Sequence, residues 1–245
     1  METLFVGQNI ISLKSIDSTN TFLSDLSKHS SIVEGTVVLT EDQLDGRGQQ
    51  GNVWQSEKNK SLTFSVLLFP KIDVNYQFSF NKCISLSICE AFKRCGVRSQ
   101  IKWPNDIFIN DKKVAGVLIE NTIQHEKIYK SVVGVGINVN NDQLDFPLAT
   151  SLKMETSTTF DLMSLLDLLC EEIERFYLLL KSNKKTISKK YNGNLYRLNM
   201  PTTFLKNGCY FRGIVKEVDE YGRLAVETDN GLQYFSWGEL RFDFS

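Results

Sequence analysis

Runs of apolar residues, separated by polar and glycine-rich turns, recur through the first 140 residues of the chain. Runs rich in β-branched and aromatic side chains predict strands. The predicted strands are 9–16, 36–40, 61–69, 98–103, 106–109, 113–120 and 128–135. Pro70 ends the third of them because proline has no backbone N–H to donate. Asn110-Asp111 predicts a hairpin turn between two others.

Between these runs lie segments in which apolar residues recur at helical spacing. The stretch D17-S18-T19-N20 is made of residues that favour helix N-caps, and Phe22, Leu23 and Leu26 follow it at helical spacing. Further helices are predicted over about 77–95, 161–181 and 184–196. Helices and strands therefore both contribute, which predicts an α+β fold.

The pattern changes near residues 198–201. From Pro201 onward the chain has short alternating runs at 209–218, 223–228 and 232–236, separated by turn-forming residues. Several short strands in so small a segment predict a β-barrel-like module that needs support from the larger domain. The predicted division is 1–198 and 199–245.

Composition limits the classes of function. The chain has 245 residues, 42% of them hydrophobic, which is enough for one substantial core and a small second one. Its 28 basic and 29 acidic residues give a formal charge of -1. That balance argues against broad charge-driven binding to nucleic acid, and we expect no nucleic-acid partner.

The five cysteines form no CxxC pair, and the two histidines lie far apart in sequence. We therefore expect neither a protein-built metal site nor a disulfide framework. No secretory signal is evident in METLFVGQNI, and the apolar runs are too short to cross a bilayer. The expectation is a cytoplasmic protein without a membrane partner.

The stretch G46-R-G-Q-Q-G-N-V-W54 has three glycines around one arginine. It lies between two predicted strands and lacks a GK[ST] ending, so it is neither a Rossmann nor a Walker loop. Backbone N–H groups of such a loop can surround an anion, and Arg47 can add two donors to a phosphate or carboxylate. A mobile turn without function is the alternative interpretation.

Three further stretches carry candidate residues. Lys102, in KWPND, is predicted to project from a strand end as a charge for phosphate oxygens, or to be merely solvated. Gly116, in KVAGVLIE, interrupts a strand, which indicates a bulge or close approach of a ligand. Asn138, in GVGINVN, can read an adenine edge or cap the strand end.

In this order, the motifs DSTN, Q-x-x-GRG-x-x-G-x-x-W, KWPND-x(6)-K-x-x-G-x-L-x-E and G-x-G-I-N-x-N resemble those of the biotin protein ligases. The resemblance covers most of residues 9–140 and continues more weakly at 213–224. It implies a class II synthetase-like catalytic domain, with a mixed, largely antiparallel sheet flanked by helices. It also implies a small C-terminal SH3-like β-barrel.

The resemblance implies a two-step reaction. Biotin and ATP, with Mg²⁺ expected, give biotinyl-5′-adenylate and pyrophosphate, and biotin then passes to a lysine of a biotin carboxyl carrier domain. Lys102 and Arg47 are the implied catalytic residues. The implied biotin-binding residues are Ser18, Thr19, Asn20, Gln43, Gly46, Arg47, Gly48, Gln49, Lys102 and Gly116. The implied ATP- and adenylate-binding residues are Arg47, Gln49, Trp54, Lys102, Asn105, Lys113 and Asn138.

The chain departs from the family pattern in two ways. Gln49 and Asn52 stand where the family loop often has arginines, so weaker retention of the adenylate is expected. The DSTN motif begins at residue 17, which leaves no room for the DNA-binding domain that some members carry. The expectation is a ligase without a repressor function, either monomer or homodimer.

Three alternatives belong to other classes. A lipoate or octanoate ligase shares the fold, but its substrate has no ureido ring to pair with Ser18, Thr19 and Gln43. A class II tRNA synthetase-like enzyme needs a large RNA-binding surface, which the charge balance does not support. A binding module built on the C-terminal strands leaves the first 200 residues unexplained.

Overall fold

The structure, a computed structural model, describes residues 2–244, except for the side chain of Gln50. The strands are β1 (Ile10–Leu13), β2 (Val37–Thr40), β3 (Ser61–Leu68), β4 (Ile72–Asp73), β5 (Gln100–Lys102), β6 (Asp106–Ile109), β7 (Lys112–Gln124), β8 (Lys127–Asn138), β9 (Pro201–Lys206), β10 (Cys209–Val218), β11 (Leu224–Thr228), β12 (Gly231–Phe235) and β13 (Arg241–Phe242). The helices are α1 (Thr19–His29), α2 (Gln77–Arg94), α3 (Leu152–Thr156), α4 (Leu162–Ser182) and α5 (Lys184–Gly193).

The first eight strands form one sheet in the order β1-β2-β3-β8-β7-β6-β5, and β4 pairs with β8 beside this path. β1 and β2 run parallel, whereas the other neighbours run antiparallel. The predicted α+β fold with a mixed, largely antiparallel sheet is therefore confirmed.

The two faces of this sheet differ because side chains alternate along a strand. In β3, Leu62, Phe64 and Val66 face the main core, where α2, α4 and α5 supply most of the helical side chains. On the opposite face of β3, Leu67 packs with Leu23 of α1 in a smaller cluster. The rest of that face carries small and polar side chains, and the candidate site lies there.

The C-terminal strands form a separate antiparallel sheet in the order β12-β11-β10-β9-β13. Among the contacts that hold it on the larger unit, Trp103 Nε1 donates to Gly222 O at 2.9 Å, and Lys82 Nζ donates to Val218 O at 2.9 Å. β9 begins at Pro201, where the change of pattern lies. The SH3-like description of this sheet and the division at 198 stay predictions.

Several boundaries differ from those predicted. β1 ends at Leu13 because the chain then turns toward α1, and Ile16 makes only an isolated bridge with Gln43. β7 and β8 are longer than predicted, because their hairpin ladder continues to the turn at His125 and Glu126. The sequence pattern missed α3, β4, β9 and β13, most of which are too short to establish a period.

Candidate active site

Small residues paired across three strands form the floor of a cavity. Thr63 of β3 pairs with Gly136 of β8, which pairs with Gly116 of β7. The next position on the same face has Gly134 beside Leu118. Because these strands carry their large apolar residues on the other face, this side of the sheet stays open for a ligand.

At one end of the floor, polar side chains form a buried cluster. Ser18 caps α1, and its hydroxyl oxygen accepts from Thr21 N. Gln43 Oε1 accepts from Thr19 N at 3.0 Å and from Thr19 Oγ1 at 3.2 Å. Ser65 Oγ donates to Asn20 Oδ1 at 2.6 Å. The helix start is thereby tied to the sheet, with several polar atoms grouped at the cavity wall.

The glycine loop folds back over the floor. Trp54 N donates to Gly46 O at 2.8 Å, and Gly48 N donates to Asn52 O at 2.6 Å. These bonds place the Trp54 indole flat on the glycine floor, where a Cβ on Gly136 would lie only 2.3 Å from Trp54 Cε2. Gly136 is therefore required by close approach of the indole.

Two lysines share one carboxylate beside the loop. Lys113 Nζ lies 2.6 Å from Asp106 Oδ1, and Lys102 Nζ lies 3.8 Å from Asp106 Oδ2. Lys113 also lies over Gly116, since its Nζ would be 3.3 Å from a Cβ there. One negative and two positive charges leave this group with a net positive charge, which suits an anionic ligand.

Lys102 is surrounded mainly by aromatic rings. Its Nζ lies 5.4 to 5.7 Å from the ring centroids of Phe108, Phe242 and Phe244. Burial lowers the pKa of Lys102; Asp106 opposes this shift and the charge of Lys113 adds to it. Lys102 is thus a cation surrounded by apolar rings, where its electrostatic interaction with an anion is weakly screened.

Arg47 of the loop is also paired with a carboxylate. Its Nη2 lies 3.3 Å from Glu120 Oε1, and Glu120 Oε2 accepts from Asn20 Nδ2 at 2.8 Å. Glu120 therefore joins the loop to the polar cluster. The Arg47 side chain remains 46% exposed, so a ligand anion can reach it.

The cavity has a volume of about 580 Å³ and is completed by the C-terminal sheet, which contributes Trp237, Gly238, Leu240, Arg241 and Phe242. This segment is far from the loop in sequence. No local pattern in it predicts a site residue, because its place depends on how the second sheet packs on the first.

A family model described as "Biotin/lipoate A/B protein ligase family" matches residues 12–138. The chain belongs to this family. The predicted family and the predicted ligase class of enzyme are thereby confirmed.

Several relatives in this family match most of the chain. The bifunctional ligase/repressor BirA of Bacillus spizizenii is 29% identical over 244 residues, covering 95% of this chain and 74% of that protein. The biotin--[acetyl-CoA-carboxylase] ligase of Paracoccus denitrificans is 27% identical, covering 84% of this chain and 89% of that protein. A solved biotin protein ligase from Aquifex aeolicus, in complex with biotin and ATP, superposes with a TM-score of 0.81 and 28% identity, covering 97% of this chain and 100% of that one.

In this family member, most of the predicted site residues line one cavity. Those that do are Ser18, Thr19, Asn20, Gln43, Arg47, Gly48, Gln49, Trp54, Lys102, Asn105, Lys113 and Gly116. Two do not. Gly46 packs against the backbone of Trp54, since a Cβ there would lie 2.2 Å from Trp54 O. The Asn138 amide donates to Thr150 O at 3.1 Å. Asn138 therefore fits the strand-capping alternative better than contact with adenine.

The sequence pattern did not single out several neighbours. Thr63, Asp106, Gly134 and Gly136 line the cavity, and Glu120 holds Arg47. The alternating small residues of G134-V-G136 are a signal that could have found the floor, because glycine every second position indicates an open strand face. Asp106 and Glu120 belong to the motif KWPND-x(6)-K-x-x-G-x-L-x-E, but only their ion pairs with Lys102, Lys113 and Arg47 show that they hold the cations of the site.

Within residues 2–244, no group of three or more His, Cys, Asp or Glu side chains is arranged to hold a metal ion. The helices of the same range include none that is both long and apolar enough to cross a membrane.

Proposed function

We propose that this chain is an ATP-dependent biotin protein ligase, which forms biotinyl-5′-adenylate and passes biotin to one lysine of a biotin carboxyl carrier domain. Biotin ligation in general is supported by the family and by the named relatives. The adenylate, the acceptor and the residue roles are the proposal.

One observation carries it: the cavity has a neutral polar end and a cationic end, joined by a glycine floor. Biotin has the matching chemistry, with a ureido ring at one end and a carboxylate at the other. The proposed partners of the ring are Ser18, Thr19, Asn20 and Gln43. A carboxylate at the far end would lie near Lys102 and Lys113, and Arg47, which Glu120 holds next to Asn20, would reach it from the loop.

The first step joins two anions. An oxygen of the biotin carboxylate bonds to the α-phosphorus of ATP, and the bond from that phosphorus to the bridging oxygen breaks, so that pyrophosphate leaves. Fixed cations stabilise the negative charge that gathers there, and preorganised charges act strongly where water is excluded. We assign this role to Lys102, Lys113 and Arg47.

Two buried polar atoms support a ligand above the floor. Trp54 Nε1 and Thr63 Oγ1 have no hydrogen-bond partner among the described residues. Buried donors and acceptors are nearly always paired in proteins. Trp54 and Thr63 both line the cavity, so substrate atoms are their proposed partners. Asn105 also lines it, but its amide already donates to Val117 O.

Mg²⁺ is expected to arrive with ATP. The two carboxylates nearest the cations, Asp106 and Glu120, are both engaged by basic side chains. Because these carboxylates are engaged, the site fits a metal ion that is held mainly by phosphate oxygens and water rather than by protein ligands. When bound, the ion would neutralise phosphate charge. The residues that line the cavity would orient the substrates.

In the second step the neutral amine of the acceptor lysine bonds to the acyl carbon. The bond from that carbon to the phosphate oxygen breaks, AMP leaves with the electron pair, and the amine loses a proton. Until the acceptor arrives, loop 46–54 would shield the adenylate from water, which would otherwise hydrolyse it.

Pyrophosphate exchange into ATP tests the proposal. We expect exchange that depends on biotin, with little exchange when lipoate, octanoate or no acid is added. Exchange that depends on lipoate or octanoate instead would assign the chain to the other branch of its family. Absence of exchange with every acid would refute the adenylate.

A further inference from the structure

Aromatic rings from three distant parts of the chain pack together beside Lys102. We call them the ring cluster: Phe108 of β6, Tyr196 after α5, Phe242 of β13, and Phe244. The centroid of Phe244 lies 6.0 Å from that of Phe108 and 6.3 Å from that of Tyr196, with interplanar angles of 29° and 25°. Phe242 completes the cluster, its centroid lying 5.8 Å from that of Tyr196.

Phe244 reaches the larger unit from the end of the C-terminal sheet. β13 is fixed by pairing with β9, where Phe242 lies opposite Phe204. One further bond follows the strand, since Asp243 N donates to Thr203 O at 3.0 Å. The second sheet thus carries the Phe244 ring across to β6, where it stacks on a side chain next to the site.

Polar contacts fix the side of the ring cluster that faces away from Lys102. Tyr196 OH donates to Asp111, which lies in the turn between β6 and β7. Arg197 Nη2 lies 3.3 Å from Asp111 Oδ1, and the Arg197 guanidinium lies 5.9 Å from the ring centroid of Phe244. These contacts hold Tyr196, and with it the Phe244 ring, in one arrangement.

The rings act on Lys102 mainly by excluding water. The centroids of Phe108, Phe242 and Phe244 lie 5.4, 5.6 and 5.7 Å from Lys102 Nζ. Attraction between a cation and an aromatic ring acts within about 6 Å of the centroid, so these distances are near its limit. Carbon rings also offer the ammonium no hydrogen-bond acceptor. Its donors are therefore best used on the cavity side, which Lys102 lines.

We propose that Phe244 is a positioning residue for the adenylation step: its ring keeps water from Lys102 and holds the ammonium toward the substrate anions. The inference rests on the proposed function. Phe244 itself does not line the cavity, so it acts through Lys102. A cation shielded from water is weakly screened from an anion in front of it. A cation held in one direction also needs little reorganisation as charge develops.

Several charged or titratable groups surround Lys102 besides the carbon rings. They are Asp106 of β6, Lys113 of β7, Arg47 of the glycine loop, Arg241 and Asp243 at the end of the C-terminal sheet, and Asp111, Tyr196 and Arg197 behind Phe244. Burial lowers the pKa of Lys102, Asp106 raises it and Lys113 lowers it. Burial raises the pKa of Tyr196 to about 12, so that group stays neutral at lower pH. Truncation of Phe244 removes none of these groups and changes the burial of Lys102.

The test measures the amine of Lys102 directly. Competitive labelling with acetic anhydride across pH, followed by mass spectrometry of the Lys102 peptide, gives its pKa in the ligand-free protein. Phe244→Ala removes the ring, and Phe244→Leu keeps an apolar side chain. Phe211→Ala is the matched control, because Phe211 is also a partly buried ring of the C-terminal sheet. It stacks on Phe204, and its ring is not among those near Lys102.

In Phe244→Ala, water should reach the ammonium and stabilise it, so the pKa of Lys102 should rise by about one unit. Biotin-dependent pyrophosphate exchange near neutral pH should fall about tenfold, less than the roughly 10²–10³-fold expected for loss of the charge itself. Its alkaline fall should move to higher pH, because Lys102 keeps its proton longer. Phe244→Leu should stay close to the wild type in both measurements, and Phe211→Ala should change neither per folded molecule.

An unchanged pKa of Lys102 in Phe244→Ala would overturn the inference. An equal rise in Phe211→Ala would do so too, because it would assign the effect to loosening of the whole sheet. A leucine variant as altered as the alanine variant would show that exclusion of water is not the cause. Absence of biotin-dependent exchange in the wild type would instead refute the proposed function. The acetylation profile needs no catalysis, so the two failures are distinguishable.

Discussion

A buried lysine, Lys82, and a half-buried one, Lys102, lie where the larger unit meets the C-terminal sheet, and they differ most in their hydrogen bonds. Lys82 of α2 donates to Val218 O at 2.9 Å, to Asp219 O at 3.0 Å and to Ser188 Oγ at 3.3 Å. Within the part of the chain that the structure describes, Lys102 donates no hydrogen bond, and its ion pair with Asp106 is long, at 3.8 Å.

In other respects the two resemble each other. Both ammonium groups lie near aromatic rings, Lys82 near Phe78 and Tyr191, and Lys102 near three phenylalanines. Burial lowers the pKa of both, to about 8 for Lys82. Burial and a shifted pKa therefore do not separate a structural lysine from a functional one. The hydrogen bonds do, because Lys82 is saturated by the protein whereas Lys102 has donors left for a ligand.

The largest effect is expected from Lys102→Ala. Its adenylation rate should fall by about 10²–10³-fold, since one preorganised charge at such a site contributes roughly 3–4 kcal/mol. Stability should change little, because Lys102 has no protein hydrogen bond to lose. Pyrophosphate exchange measures the adenylation rate, and thermal unfolding measures the stability. Near-wild-type exchange by the folded variant would contradict the role of Lys102.

Lys82→Ala should lower the stability and leave the adenylation rate nearly unchanged. The variant leaves a cavity and removes one donor from each of two carbonyl oxygens, so the free energy of unfolding should fall by about 2–4 kcal/mol. Exchange per folded molecule should remain near the wild-type value well below the melting temperature. Chemical denaturation gives the first quantity. A strong loss of exchange in the folded variant would remove the distinction between the two lysines.

The pH dependence of exchange sharpens the comparison further. Lys102 is cationic below its pKa, and because burial lowers that pKa, its charge is lost at a lower pH than for an exposed lysine, about 10.4. We therefore expect kcat/KM for exchange to fall on the alkaline side below that value. Lys102→Arg keeps its charge and should move this fall to higher pH. An alkaline limb that is identical in both proteins would assign it to another group.

A smaller effect is expected from Gln49, which lines the cavity beside these cations. Gln49→Arg adds a permanent charge near the acyl phosphate, and charge-assisted hydrogen bonds exceed neutral ones by about 1 kcal/mol. Release of the adenylate should slow by about fivefold. Stopped-flow tryptophan fluorescence measures this release, with Gln49→Met as the uncharged control. Unchanged or faster release in the arginine variant would show that a neighbour such as Lys113 already supplies the charge.

The periodic elements could be predicted well from the sequence. α2 lies within one residue of its predicted bounds, and β6 and β10 match theirs, because each has a clear apolar period or run. The site residues were found mainly through motifs that resemble a family. Residues without a motif of their own, such as Arg241 and Phe242 at the cavity, could not be found in that way.

The sequence by itself determined most of the longer strands and helices, where glycine permits close approach, and which cations are available near the loop. Those properties are local, since they depend on side-chain type and spacing. Only the tertiary structure decided that Glu120 holds Arg47, that Asp106 is shared by two lysines, and that Lys82 is saturated while Lys102 is not. Such partners come from strands and sheets far apart in the chain, and the free energy of a buried charge depends on its neighbours in space rather than in sequence.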